Sequence, residues 1–388
     1  MKLLRTLSTR SLVLVVVAAA VLGGAGATIA IASGGSGPVP AQKPLAQAIH
    51  DGLAAPEPEG ISARITFTNR LFPSAALEGR VGSALMSGAS GRLWARNDGR
   101  GRLELQSTAG DVQIVWSPAE ITIYDASSNT VYRSNLPASK AEHQEKAPLS
   151  LAKIEDFLSQ LGGHATVSGA KPSNVAGREA YTVSASPKDS AGLLDSVQVA
   201  WDAVHGVPLR AAIYARGSSK PVLALEATDI SFGQVPTSNV EIAPPAGAKT
   251  VTLPTPSNQK THKGRREPRG ADSKDRRESA AAGFPVSAPA SLLGLKRTGI
   301  HVLGGTGAKT ALVVYGEGLG AIVVAEQKAG EKTAQLNALP QVPLAGATGH
   351  ELSTPLGTIL EWRRGGVMFL LAGSVPAATA DAAANALR

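Results

Sequence analysis

The chain has 388 residues, 43% of them hydrophobic and 18% charged, which suits two domains of ordinary size better than one compact unit. Its net charge of +8 comes almost entirely from Lys2, Arg5 and Arg10 and from a stretch over 254–285 with eight Lys/Arg against four Asp/Glu, which argues against a nucleic-acid-binding face on the folded parts. With no cysteine, the chain can form no disulfide, no Cys-bearing zinc site, no thiol nucleophile and no lipidated amino-terminal Cys.

Ser11 to Ala32 is a run of 22 uncharged residues behind three cations, so the amino end is expected inside and everything after it exported. Two readings stand for residues 1–33. As a membrane anchor, the run has the ~20 residues that cross a bilayer. As a cleaved signal peptide, it has Gly23, Gly24 and Gly26 to weaken the helix and Ala30-Ile31-Ala32 as a cleavage site. The expected place is thus the cell membrane, single-pass with the bulk extracytoplasmic, or the secreted fraction if the run is removed. Residues 34–43, rich in Gly, Ser and Pro, read as a flexible tether.

A first unit spans 44–253. Leu45, Ile49 and Leu53 predict a short amphipathic helix. Strands are then expected at Ile61–Phe67, Gly91–Ala95, Arg102–Ser107, Asp111–Trp116, Ile121–Tyr124 and Thr130–Arg133, separated by turn residues in the manner of an antiparallel meander. Ser150–Leu161 interrupts as a helix with Ser150 as N-cap and Gly162-Gly163 as its stop. Strands resume at Thr166–Val167, Glu179–Ser184, Ser196–Asp202, Pro208–Ala215 and Val222–Asp229, with a last extended stretch at Val240–Ile242. Many strands and few helices predict a mainly β, α+β fold: a half-open antiparallel barrel with helices against it. Residues 254–283 have the composition of a disordered basic linker. A small α+β unit follows over 284–388, with strands near Thr298–Leu303, Lys309–Gly316, Gly320–Gln327, Thr358–Arg363 and Gly366–Gly373 and a closing helix Ala377–Leu387.

Catalytic motifs fail one by one. No two of the seven histidines stand at the i, i+4 spacing that brings two imidazoles to one zinc ion, and His350-Glu351 is followed by Thr354 where a second histidine should be. Gly304 to Thr310 resembles a phosphate loop, but Leu303 and Ala308 replace the glycines it needs. Ser150-Leu151-Ala152-Lys153 matches a serine-nucleophile motif without its companion elements, and capping accounts for Ser150. No catalytic residue, metal or cofactor is therefore assigned, and the chain is read as non-enzymatic.

One sheet face carries the information. Leu103/Leu105, Val112/Ile114/Trp116 and Ile121/Ile123 repeat with period 2, while Glu104, Gln113 and Thr122 point away. Two short helices are too few to fill such a face, so either a flat core or an apolar cavity is expected. The candidate cavity residues are Leu103, Leu105, Ile114, Trp116, Ile121 and Ile123 with Ile154, Phe157 and Leu158 of the second helix. Leu71 and Phe72, in a connection, are candidates for the cavity mouth or for membrane contact.

The ordered series Gly91-Arg92-Leu93-Trp94, Arg102-Leu103-Glu104-Leu105, Ile121 to Asp125, Asn129 to Arg133, Val175 to Tyr181, Trp201-Asp202-Ala203, Gly206 to Arg210, Phe232 to Pro236 and Pro244 to Ala248 resembles the LolA-like lipoprotein-carrier superfamily over about 44–250. That resemblance implies a half-open barrel around an apolar cavity holding acyl chains, and lipid or an acylated lipoprotein as partner. Tyr315 to Leu319 and Gly373 to Ala380 look like the end of the RseB/MucB sigma-factor regulators, which implies a membrane-spanning anti-sigma factor as the alternative partner. The long basic linker departs from those regulators. A carrier or sensor of lipid and a regulator of another membrane protein both remain open, and neither binds nucleic acid.

Overall fold

The computed structural model describes residues 37–72, 84–136, 149–188, 192–241, 243–253, 281–303, 309–330 and 339–387. The anchor or signal, the start of the tether, Ile242, the Gly304–Ala308 part of the phosphate-loop-like run and positions 254–280 of the basic linker lie outside these residues. Among the described residues no helix is long and apolar enough to cross a membrane.

The first unit opens with helix α1 (Leu45–Ala54) and strand β1 (Gly60–Asn69). After a one-turn helix α2 (Ala84–Ser87) come β2 (Ala89–Arg96), β3 (Gly101–Gln106), β4 (Val112–Trp116), β5 (Glu120–Asp125) and β6 (Thr130–Asn135). Helix α3 (Leu151–His164) leads into β7 (Ala165–Val167), β8 (Lys171–Val175), β9 (Arg178–Pro187), β10 (Leu194–Asp202), β11 (Pro208–Ala215), β12 (Leu223–Phe232) and β13 (Lys249–Thr252). They form one sheet in the order β13-β6-β5-β4-β3-β2-β1-β12-β11-β10-β9-β7, with β8 added on β9. Every pairing is antiparallel except β13 on β6, and the end strands β13 and β7 do not meet, so the sheet is open. The mainly β architecture expected from the sequence is what the chain adopts.

Several local expectations change. Val240 follows a single 3-10 turn (Thr237–Asn239) instead of starting a strand; the last strand is Lys249–Thr252, held parallel to Thr130–Arg133. Gly162-Gly163 does not stop α3, which runs on to His164 because neither glycine takes a positive φ and the Ala165 N–H still bonds the Leu161 carbonyl. Ser150 occupies the N-cap position but makes no side-chain capping bond. Strand β8 carries Pro172, which an edge strand tolerates because its nitrogen need not donate.

The second unit has β14 (Ser291–Leu292), β15 (Leu295–Leu303), β16 (Thr310–Tyr315), β17 (Ile322–Lys328), β18 (Gln341–Leu344), β19 (Ala347–Thr354), β20 (Gly357–Arg364), β21 (Val367–Gly373) and helix α4 (Ala377–Ala386). Its eight strands run β14-β15-β16-β17-β21-β20-β19-β18. Ala380, Ala383, Ala384 and Leu387 bury α4 against Trp362, Phe369 and their neighbours, where small side chains let helix and sheet approach closely. Arg364 donates to the carbonyls of Ala384 and Leu387, satisfying and charge-matching the helix C-terminus. Ala282 is buried and Phe284, Val286 and Ala288 pack on this core.

The two units touch. Leu319 and Leu356 of the second pack on Leu161, Ala165, Ala185, Leu194 and Val197 of the first. Beside them the Leu193 N–H donates to Ser374 Oγ at 2.9 Å, and a Cβ at Gly192 would stand 2.9 Å from Leu319 Cβ.

Candidate functional site

Cross-strand register turns the period-2 stripes into rows on one face. Ala63, Leu93, Leu103, Ile114, Ile123 and Tyr132 lie opposite one another in sequence from β1 to β6. On one side of this row lie Ile65, Gly91, Leu105 and Val112; on the other lie Ile61, Ala95, Gly101, Trp116 and Ile121. Leu105 and Val112 are buried at 2% exposure each, whereas Leu93, Leu103, Ile114, Trp116, Ile121 and Ile123 are only half-buried. The Trp116 indole lies over Gly101, where any Cβ would strike the ring.

The two halves of the sheet are covered unequally. Helix α1 seals the β9–β10 half, where Ala48, with Leu45 and Ile49, packs on Tyr181, Val183, Val199 and Trp201. The carboxyl end of α3 covers the next stretch through Leu161. Among the described residues the β2–β5 half packs with the single turn α2, through Ala84 and Leu85, with Val175, Ala176 and Val207 of the chain reversals, and with Ala180, Leu209 and Ile230 of β9, β11 and β12.

Leu103, Leu105, Ile114 and Ile123 therefore stand in one cluster, and Trp116 and Ile121 in the row beside it. The three α3 residues do not join them. Ile154 is buried, Leu158 half-buried and Phe157 47% exposed, and none belongs to that cluster. The reason is connectivity: α3 passes without a loop into β7 at Ala165, so its buried side must settle on the β9–β10 half. Leu71 and Phe72 are half-buried, with the Leu71 N–H held by Asn69 Oδ1 at 2.9 Å.

A groove of about 390 Å³ opens at the ends of β1, β2 and β3, lined by residues that include Thr66, Phe67, Thr68, Arg70, Ser90 and Gln106. None of the candidate cavity residues lines it. Sequence reading missed it because its walls come from segments about twenty residues apart that only strand register unites.

Two polar clusters are structural. Asp202, the last residue of β10, accepts the N–H groups of Val204 and His205 at 3.0 and 2.6 Å and faces His205 Nδ1 at 3.0 Å. The His205 ring and the Arg178 guanidinium approach Phe232, with centres 4.1 and 4.6 Å away, closing that end of the core. In the second unit Glu326 is fully buried, and burial lifts its pKa from 4.5 to about 7. Tyr315 is pushed upward too, first by burial and then by the Glu326 charge. Among the described residues no group of three or more His, Asp or Glu could hold a metal ion.

No family model and no curated protein matches the chain. Among solved structures, MucB in complex with MucA(peri) is 15% identical, with 89% of this chain and 96% of that chain covered and a TM-score of 0.40. The Pseudomonas aeruginosa MucA/MucB complex is also 15% identical, with 88% and 94% covered and a TM-score of 0.39. A LolA superfamily protein from Nitrosomonas europaea is 8% identical, with 51% of this chain and 98% of that chain covered and a TM-score of 0.21. MucB and the LolA superfamily are thus both among the solved proteins to which this chain is similar.

Proposed function

We propose that the chain is a non-enzymatic extracytoplasmic binding protein whose first unit takes the acyl part of a lipid or lipoprotein against the β2–β5 face. One observation carries the reading. Six large apolar side chains, Leu93, Leu103, Ile114, Trp116, Ile121 and Ile123, lie side by side on a face that the described residues leave half-covered, while α1 and α3 pack on the other half. A contiguous apolar surface left open to water is costly unless something occupies it. In this reading Leu105 is the floor of the site, and Leu71 and Phe72 stand near its rim. The amino-terminal run of 22 uncharged residues serves as anchor or export signal, and either places the unit outside the cytoplasm.

Native mass spectrometry of the protein purified from its own host tests this: co-purified lipid that leaves when Leu103 and Ile123 are both changed to Asn supports it. A chain that carries no lipid and takes none from micelles refutes it. The regulatory reading, in which the chain binds a membrane-spanning anti-sigma factor, is favoured by the direct docking of the two units through Leu319, Leu356 and Ser374, which offers a two-unit surface. Cross-linking in the host separates the two: a single membrane protein captured across that seam selects regulation.

A further inference from the structure

The opposite face of the same meander is charged. Register places Arg64 of β1 directly across from Arg92 of β2, both exposed. Like charges directly opposite weaken a strand pair, and neither arginine forms an ion pair among the described residues. Glu104, across from Arg92, is engaged by Arg102; Asp229, across from Arg64, makes no ion pair among the described residues; Glu226 is held by Arg210 at 3.3 Å.

The next row on this face is Thr66, Ser90 and Gln106, followed along β1 by Thr68 and then by Arg70, which is exposed and without an ion pair among the described residues. These are walls of the 390 Å³ groove. The hydroxyls of Thr66, Thr68 and Ser90 and the amide of Gln106 make no hydrogen bond to another described residue, and Thr66, Ser90 and Gln106 are exposed. Immediately after Arg70 come Leu71 and Phe72.

Three guanidinium groups without an ion pair among the described residues, on a face with hydroxyls and an amide, match one ligand chemistry: a phosphate ester bearing a hydroxylated substituent. Guanidinium groups take the phosphate oxygens through charge-assisted bonds, and the neutral groups take the hydroxyls. An extended acidic peptide would need a free sheet edge, and β1, β2 and β3 are paired on both sides. We infer that the outer face of β1–β3 binds the headgroup of an anionic phospholipid, with Arg70 at the phosphate, Thr66, Ser90 and Gln106 at the polyol, Arg64 and Arg92 adding positive charge beyond it, and Leu71 and Phe72 at the level of the acyl chains. The inference rests on the folded units lying on the outer side of a membrane, and it holds whether or not the inner face carries an acyl chain.

Because the chain has no cysteine, Phe72→Cys, or Leu71→Cys if that variant folds poorly, gives a single site for a polarity-sensitive fluorophore on the full chain. Asn97→Cys, in the turn at the far end of β2, is the reference position. Mixed with phosphatidylglycerol vesicles, the label at 72 should shift to shorter wavelength and be quenched by a quencher carried on lipid; with phosphatidylcholine vesicles it should stay aqueous. Label at 97 should stay aqueous on both, whatever the amino-terminal segment does. Arg70→Gln should weaken the response about fivefold, the usual worth of one cation at an anionic surface, and Arg64→Gln and Arg92→Gln should weaken it less. Arg92→Gln should keep or raise the melting temperature, since it removes a repulsion. Equal responses on the two lipids, or no loss in the arginine variants, overturns the inference. Saturation of the site by free glycerol 3-phosphate as readily as by vesicles overturns the membrane assignment and makes the source a soluble ester. Lipid retention by the inner face is read separately by native mass spectrometry, so the two readings fail independently.

Discussion

Glu326 offers a test of how the second unit is held together. It projects from β17 into the core with no exposure, and its Oε2 accepts the Ser287 N–H at 2.8 Å. Its Oε1 and the neighbouring Tyr315 hydroxyl have no hydrogen-bond partner among the described residues. Burial raises its pKa from 4.5 to about 7, the Ser287 bond opposing the shift, while Arg297 acts on the Tyr315 side of the cluster. A carboxyl whose folded pKa lies above its unfolded value contributes stability that is complete below pH 4.5 and is lost as pH rises toward 7. At about 1.4 kcal/mol per unit, the second unit should lose roughly 3 kcal/mol over that interval. Glu326→Gln keeps an acceptor for Ser287 and cannot ionise, so its stability should be nearly flat. At pH 8 the variant should exceed the wild type by ~3 kcal/mol, and at pH 4 the two should agree. Urea unfolding read by hydrogen exchange in β16 and β17 isolates this unit from the first. A wild-type unit as stable at pH 8 as at pH 4, or a variant weaker than wild type at pH 8, would refute the reasoning.

Three further outcomes follow from close contacts. Gly206 has φ +63° and its Cβ position falls on the backbone of Gly52 in α1, so Gly206→Ala should lift α1 off β10 and lower the thermal midpoint of the first unit, by strain of about 1–3 kcal/mol alone. Gly192→Val should push Leu319 away and separate the units; an unchanged radius of gyration in solution scattering would show that the seam tolerates it. Glu351 on β19 has a raised pKa, first from burial and then from Asp381 on α4, so its contribution to stability is present at acid pH and declines as pH rises. Asp381→Asn should therefore stabilise the second unit at pH 7 and leave it unchanged at pH 4, and equal gains at both pH values would point to another cause.

Strands with a clean two-residue period were legible in the chain: Leu103/Leu105 and Ile121/Ile123 lie on one side of the sheet and Glu104 and Thr122 on the other, as the alternation demands. Edge strands were not. Pro172 in β8 and Pro343 in β18 break the pattern of an interior strand, yet at an edge a missing N–H matters little. For α3, helical spacing identified Ile154 and Leu161 as its buried side, but which half of the sheet receives that side depends on the direct passage into β7. Glu326 left a signal that alternation could have supplied, since Ile322, Val324 and Glu326 share the inward face of β17. The groove left none, because Thr66, Ser90 and Gln106 are adjacent only through register.

The apolar face can be separated from ordinary core by comparing two residues of neighbouring rows. Leu105 is 2% exposed within a packed cluster, so Leu105→Ala opens a cavity and should cost about 2–5 kcal/mol with or without ligand. Ile123 is half-buried, so in the lipid-free chain Ile123→Ala should cost only ~1–2 kcal/mol, for a partial loss of transfer energy and no enclosed void. If an acyl chain lies on this face, it buries the remainder of Ile123, and the same substitution should weaken its binding by ~1–2 kcal/mol, about tenfold. Denaturant unfolding of delipidated protein, together with titration of a fluorescent fatty acid, measures both quantities. Equal destabilisation by the two substitutions would mean that Ile123 is enclosed as Leu105 is, and an unchanged fatty-acid affinity in Ile123→Ala would mean that the acyl chain lies elsewhere. A modest loss of stability joined to a clear loss of affinity is the combination that an open binding face produces and a closed core cannot.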